Sequence, residues 1–371
     1  MTASTTAARS WPRTWSAAAE RMYLSPGKAW TEMKTAVLVI NLGTPDSPAP
    51  SKVRRYLREF LSDPRVIDIN PLGRWALLNL IILPFRPKKS GEAYEKIWTA
   101  QGSPLLENTR TFAAKLKAAL PADWDVEYAM RYGNPSITSR LDALLARSPE
   151  KLILFPMYPQ YASSSTGSTL EKVYGLLGRK WNVPALATVG PFHGDAGFLD
   201  ASVSQGRPLI ESFKPDHILF SYHGLPERQI RKSESLEGHC LKADDSCCAS
   251  LTWKNNFCYR AQCFETTRQL AARLGLAPSQ YSSSFQSRLG RTPWIKPYTD
   301  MVVADLGRAG KKRLLVFEPS FTADCLETLE EISLRAQATF LEAGGEKLML
   351  VPAVNSSDAW VAAAASLVRN A

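Results

Sequence analysis

The chain has 371 residues, 45% of them apolar and 22% charged, a composition that excludes a disordered or fibrous protein. No stretch reaches the roughly 18 consecutive apolar residues of a membrane span, and a formal charge of +10 leaves nucleic acid, anionic lipid or a carboxylate-bearing substrate as partners. Nucleic acid is set aside, because no Lys/Arg block is interleaved with aromatic residues.

In chain order, residues 1–32 come first, rich in Ala, Ser, Thr and Arg and poor in acid. That composition suits a targeting segment. "MKTAVLVINLG" at Met33, however, is a clean opening to a first strand, so the extension is expected to lie outside the fold. Eight short apolar runs follow, at 36–42, 126–132, 152–158, 185–190, 217–223, 280–286, 314–320 and 348–354. They are near-continuous rather than alternating, the pattern of strands covered on both faces. Helical patterns stand between them, as at 110–120, 136–148 and 325–344, and strand and helix in alternation predict an α/β fold. The expected architecture is two Rossmann-like lobes, 33–190 and 191–371, each a four-stranded, mainly parallel sheet flanked by helices. The active-site cleft lies between them, since ligands in such sheets sit beyond the carboxyl ends of strands. The segment 71–90 holds "WALLNLIILPF", too short to span a membrane and too apolar for an ordinary loop.

Polar and aromatic residues stand where the apolar runs stop, at the edge where functional loops gather. His223 in "FSYHGLPER" closes the fifth run. A histidine there is commonly structural, yet imidazole exchanges protons near neutrality and ligates iron-like divalent ions. Glu327 in "SFTADCLETLEEI" is expected as the third helical residue after an Asp324 N-cap. Glu331 lies one turn on along the same face. Two stacked carboxylates can hold a divalent cation or pass protons; the plainer reading pairs the face with Arg335. Arg131 and Tyr132 end the second run, and "YASSSTGS" adds hydroxyls.

Six cysteines are present, and four of them, Cys240, Cys247, Cys248 and Cys258, fall together in the insert at 236–263, with Cys263 at its very end and Cys325 apart. Clustering in one loop, without a secretory signal, points to metal or cluster ligation rather than a disulfide framework. Zinc and a [2Fe–2S] cluster are both open, though adjacent Cys247 and Cys248 are unusual for structural zinc.

"NLGTPDSP", "MRYGNP", "YPQYASSSTGS", "FSYHGLPER", "FQSRLGRTPWIKPYTD" and "SFTADCLETLEEI" stand in order over roughly 35–355. In this set the chain resembles the ferrochelatases, which insert Fe²⁺ into a porphyrin at the last step of haem synthesis. The resemblance implies a chelatase-type fold and a lyase that makes haem b from protoporphyrin IX and Fe²⁺, both substrates, with loss of two pyrrole protons. It implies His223 as proton acceptor and iron ligand, Glu327 as the carboxylate opposite that also meets iron, and Glu331 and Asp324 as an acidic line leading away. It implies a porphyrin pocket lined by Leu42, Tyr94, Arg86, Arg131, Tyr132, Ser164, Trp294 and Phe321, with "WALLNLIILPF" as its apolar lip. A flat aromatic ring calls for apolar and aromatic walls, and its propionates for cations or hydroxyls at one edge.

Some ferrochelatases carry a [2Fe–2S] cluster. The animal pattern uses one cysteine in the Tyr-rich loop and three near the carboxyl end; here Ser163 fills the loop position and no cysteine follows Cys325. Certain bacterial members keep all four ligands in an internal segment, which implies Cys240, Cys247, Cys248 and Cys258, with Cys263 as substitute. The expected location is cytoplasmic, with peripheral contact between the lip and the inner membrane face. Coproporphyrin III as substrate, another tetrapyrrole chelatase, and a non-catalytic porphyrin- or metal-binding protein are the alternatives; an acid line beside a histidine favours chemistry.

Overall fold

The computed structural model describes residues 35–290 and 292–371, so the expected 1–32 extension lies outside the described residues. All eight apolar runs are strands. The first four, β1 (Thr35–Thr44), β2 (Trp124–Gly133), β3 (Lys151–Pro156) and β4 (Ala185–Thr188), form one sheet in the order β2-β1-β3-β4. The second four, β5 (His217–His223), β6 (Tyr281–Gln286), β7 (Arg313–Phe317) and β8 (Lys347–Leu350), form the other in the order β6-β5-β7-β8. Every pairing is parallel. The unbroken apolar runs follow from this: residues 36–40 of β1 are wholly buried, because helices cover both faces.

The sheets divide near residue 190 as expected, but the helices do not. The last helix, Asp358–Arg369, packs against the helices Pro104–Ala119 and Ala196–Phe213. Its Trp360 is fully buried among Phe112, Phe155, Phe192 and Phe198, with ring centroids 5.3–6.2 Å away. One continuous core therefore joins the two sheets, and the carboxyl terminus completes the amino-terminal lobe.

Two further elements carry the site. The lip is helical throughout: Pro71–Ala76 continues into a π-helical turn, Leu77–Ile82, and then into Leu83–Glu95. Pro84 and Pro87 lack the N–H an unbroken α ladder needs, and the wider turn just before them relieves the ladder. The pattern at 325–344 resolves into a π-helical segment, Glu327–Ala336, followed by Gln337–Glu342. Gly43, at the end of β1, is forced: it has φ +118°, and a Cβ there would lie 1.9 Å from the Tyr132 carbonyl oxygen.

Candidate active site

The carboxyl ends of both sheets open on a single cavity of about 940 Å³, at the upper end of small-molecule sites and so roomy enough for a ligand above drug size. His223, Glu327 and Glu331 border it from the second lobe, together with Trp294 and Phe321. Leu42, Arg86, Tyr94 and Ser164 border it from the first. The lip contributes Leu77 and Ile82.

His223 sits at the end of β5, half-buried, in register with Gln286 of β6. Its ring Nδ1 lies 2.7 Å from the Gly224 carbonyl oxygen. A carbonyl only accepts, so Nδ1 carries the proton and Nε2 is the basic nitrogen of the neutral ring. The Phe321 ring stands 6.5 Å away, edge-on. Glu327 begins the π-helical segment, and Gln286 Nε2 donates to its backbone carbonyl at 3.2 Å, tying it to the strand beside His223. Tyr94 is buried near Glu327; burial, and then the charge of Glu327, push its phenol well above the ordinary range.

Asp324, Arg131 and Tyr132 do not border the cavity. Asp324 is no N-cap. Its carboxylate accepts from the Ala353 N–H at 3.2 Å, Asn355 Nδ2 at 2.7 Å and the Thr328 hydroxyl at 3.2 Å, and it faces a smaller hollow behind the helix. The acidic line thus loses one member, because Asp324 is spent on fastening the loop at 353–355. Arg131 is spent likewise: its guanidinium meets Asp63 at 2.6 Å and the Ser168 hydroxyl at 2.8 Å. The Tyr132 hydroxyl donates to the same Asp63 oxygen at 2.9 Å. Burial raises the Asp63 carboxyl, but bonds from Ser168, the Arg65 N–H and Tyr132, with the Arg131 charge, outweigh it and hold the group low. The cluster braces the wall from behind.

Of the cavity's arginines, Arg228 is paired with Asp68, Arg288 with Asp300, and Arg335 with Glu330 and Glu331. Among the described residues Arg86 has no ion-pair partner, so its charge is available to a ligand carboxylate.

Sequence reasoning singled out neither Asp63 nor Glu318. Glu318 follows β7, is buried, and neither of its oxygens meets a hydrogen-bond donor. Burial first, then the charges of Glu331, Asp324 and Glu327, push its carboxyl far up, and the nearby Gln286 amide offsets this only in part. The available signal was a glutamate directly after an apolar strand.

All six cysteines are free thiols and buried. Cys247 Sγ and Cys248 Sγ are 3.8 Å apart, and Arg260 Nη1 lies 3.5 Å from Cys248 Sγ. The Cys258 thiol lies close to Cys240 and Cys248; its proximity holds the Cys240 thiol below the ordinary range, while Cys258 itself is pushed up to about 12. Cys263, by contrast, is wholly buried beside Tyr259. Among the described residues no group of three or more His, Cys, Asp or Glu side chains is arranged around a single ion.

No helix among the described residues is long and apolar enough to cross a membrane. In comparison with known proteins, the ferrochelatase family model matches residues 34–371. A ferrochelatase of Coxiella burnetii (strain Dugway) is 45% identical over 336 residues, covering 91% of this chain and 93% of that protein. One from Legionella pneumophila (strain Lens) is 43% identical over 337 residues, covering 91% and 99%. Among solved structures, SirB from Bacillus subtilis with Fe³⁺ is 11% identical, with a TM-score of 0.53 over 91% of this chain and 95% of that one, a likeness of fold alone. Matched along nearly its whole described length by the family and by these relatives, the chain belongs to the ferrochelatase family, the iron-inserting chelatases of haem synthesis.

Proposed function

We propose that this ferrochelatase metallates protoporphyrin IX, with His223 and Glu327 acting from opposite sides of the ring. The observation that carries the reading is that both side chains border one large, mainly apolar cavity. Two pyrrole N–H bonds break and the four ring nitrogens take up each Fe²⁺ inserted, so four Fe–N bonds form and two protons leave. His223 Nε2 accepts a pyrrole proton, because Nδ1 is committed to Gly224. Glu327 supplies a carboxylate to the incoming cation. Leu42, Trp294 and Phe321 hold the ring plane, and Arg86 and Ser164 take the propionates, with Tyr94 behind them. Arg131 and Tyr132 act through Asp63, as supports of the wall. The long apolar lip favours the vinyl edge of protoporphyrin over the extra propionates of coproporphyrin.

His223→Ala is expected to lower iron insertion by at least about a hundredfold while porphyrin affinity, read by fluorescence quenching, changes little. Near-normal turnover in that variant would refute the assignment. A panel of both porphyrins with Fe²⁺, Co²⁺ and Zn²⁺, followed optically, decides the substrate.

Cys240, Cys247, Cys248 and Cys258 are the thiols that would hold a [2Fe–2S] cluster. They are buried in one insert, with Cys247 Sγ 3.8 Å from Cys248 Sγ, and four thiolates are the donor set such a cluster takes. Such a cluster supplies one-electron chemistry when bound. Visible absorbance of anaerobically purified protein, lost in Cys→Ser variants, supports it; colourless, iron-free protein removes it. The lip is proposed to rest on an anionic membrane surface at the cytoplasmic face: Leu72 and Phe85 are 79% and 76% exposed, beside exposed Lys88 and Lys89. Failure to float with anionic phospholipid vesicles would count against it.

A further inference from the structure

The π-helical segment Glu327–Ala336 turns one face to the cavity, and Glu327, Glu331 and Arg335 all border it. The third place in that row is held by a cation. Both oxygens of Glu331 are engaged: Arg335 Nη2 stands 2.8 Å from Oε1, and the Ser287 hydroxyl donates to Oε2. Glu330, buried alongside, is engaged twice as well, by Arg335 Nε at 2.7 Å and by Lys96 Nζ of the other lobe at 3.5 Å. Glu327 has no cationic partner among the described residues. Arg335 is exposed, at the solvent end of the row.

We infer that Arg335 closes the acidic row to divalent cations, so that Fe²⁺ meets only Glu327 on this wall and approaches through the mouth of the cavity rather than along the helix. The inference rests on the reading of Glu327 as the carboxylate opposite His223. A divalent ion at Glu331 would face the guanidinium at close range. To bind there it must also pull Arg335 from two carboxylates at once, and a planar guanidinium held by two acids is a poor leaving partner. With a neutral side chain at 335, Glu331 would be free for the same ion, and carboxylates would run from the cavity to solvent. Arg335 is thus a specificity-determining residue that never touches the porphyrin.

The test is calorimetric titration of Mn²⁺ into the full chain without porphyrin. Wild type is compared with Arg335→Gln, Arg335→Lys and the double variant Glu330→Gln/Arg335→Gln. The double variant leaves no half-paired buried acid, so it keeps the test alive if Arg335→Gln fails to fold. Both glutamine forms are expected to bind Mn²⁺ at least about tenfold more tightly than wild type, and Mn²⁺ should inhibit iron insertion by them at correspondingly lower concentration. Arg335→Lys keeps the charge but not the fork to both acids, and is expected to tighten Mn²⁺ binding less than the glutamine forms. Equal Mn²⁺ affinity in wild type and the glutamine forms, or equal tightening in the lysine form, would overturn the gate. Failure of the underlying functional reading shows separately, as wild-type protein that metallates no porphyrin.

Discussion

Glu318 keeps its proton at a pH where an exposed glutamate has lost it, because burial and the surrounding acids both oppose its charge. Its folded pKa is raised above the unfolded value of about 4.3. The stability it contributes is therefore full below that pH and falls as pH rises. Glu318→Gln is expected to raise the unfolding free energy by about 1 kcal/mol at pH 8 and to change it little at pH 4, read by urea unfolding at the two pH values. An equal effect at both would sink this account. Glu318 also marks where the sequence runs silent. His223 and Glu327 were legible because proton-exchanging side chains stood at predicted strand and helix ends. One sequence marks a buried acid only faintly, for Glu318 by its place directly after an apolar strand, so Asp63 and Glu318 passed unnoticed. Arg131 and Asp324 were legible as charged residues near the site, but not the hydrogen bonds that turn them away from it.

At the scale of elements, the base of the lip is tied to the helix that follows the histidine loop. Asp68 accepts from Arg228 at 2.6 Å, Lys232 at 2.8 Å and Gln229 at 3.2 Å, all on or beside the helix Glu227–Lys232. Burial raises the Asp68 carboxyl, but these donors outweigh it and lower the group to about 2. A lowered folded pKa means that the stabilisation is present above the unfolded value of about 3.9 and is lost as pH falls toward about 2. Asp68→Asn is thus expected to flatten the loss of stability between those two pH values and to speed porphyrin exchange at neutral pH. Asp68→Glu should partly restore both; thermal unfolding against pH and stopped-flow fluorescence are the measurements. An unaltered acid limb would show the tie to be idle. Unbroken apolar runs made all eight strands readable, since full burial on both faces demands that pattern. The π-helical turns of the lip and of Glu327–Ala336 were not readable: a one-residue widening of a helix depends on prolines and on packing across the lobes, not on periodicity.

At the scale of the molecule, the two sheets share one core through Trp360. Trp360→Ala is expected to cost about 3–5 kcal/mol and to leave a single unfolding transition. Separate transitions by circular dichroism and tryptophan fluorescence would mean that the lobes are energetically independent. The equal division of strands suggested two self-contained halves; the course of the last helix, set by contacts more than 240 residues apart such as Lys115 with Asp358, lay beyond local pattern. That return of the chain has an outcome for biogenesis. A nascent polypeptide whose segment Asp358–Arg369 is still inside the ribosomal tunnel lacks the piece that seals its earliest-made half. The first lobe must then linger incomplete until that segment has emerged and docked.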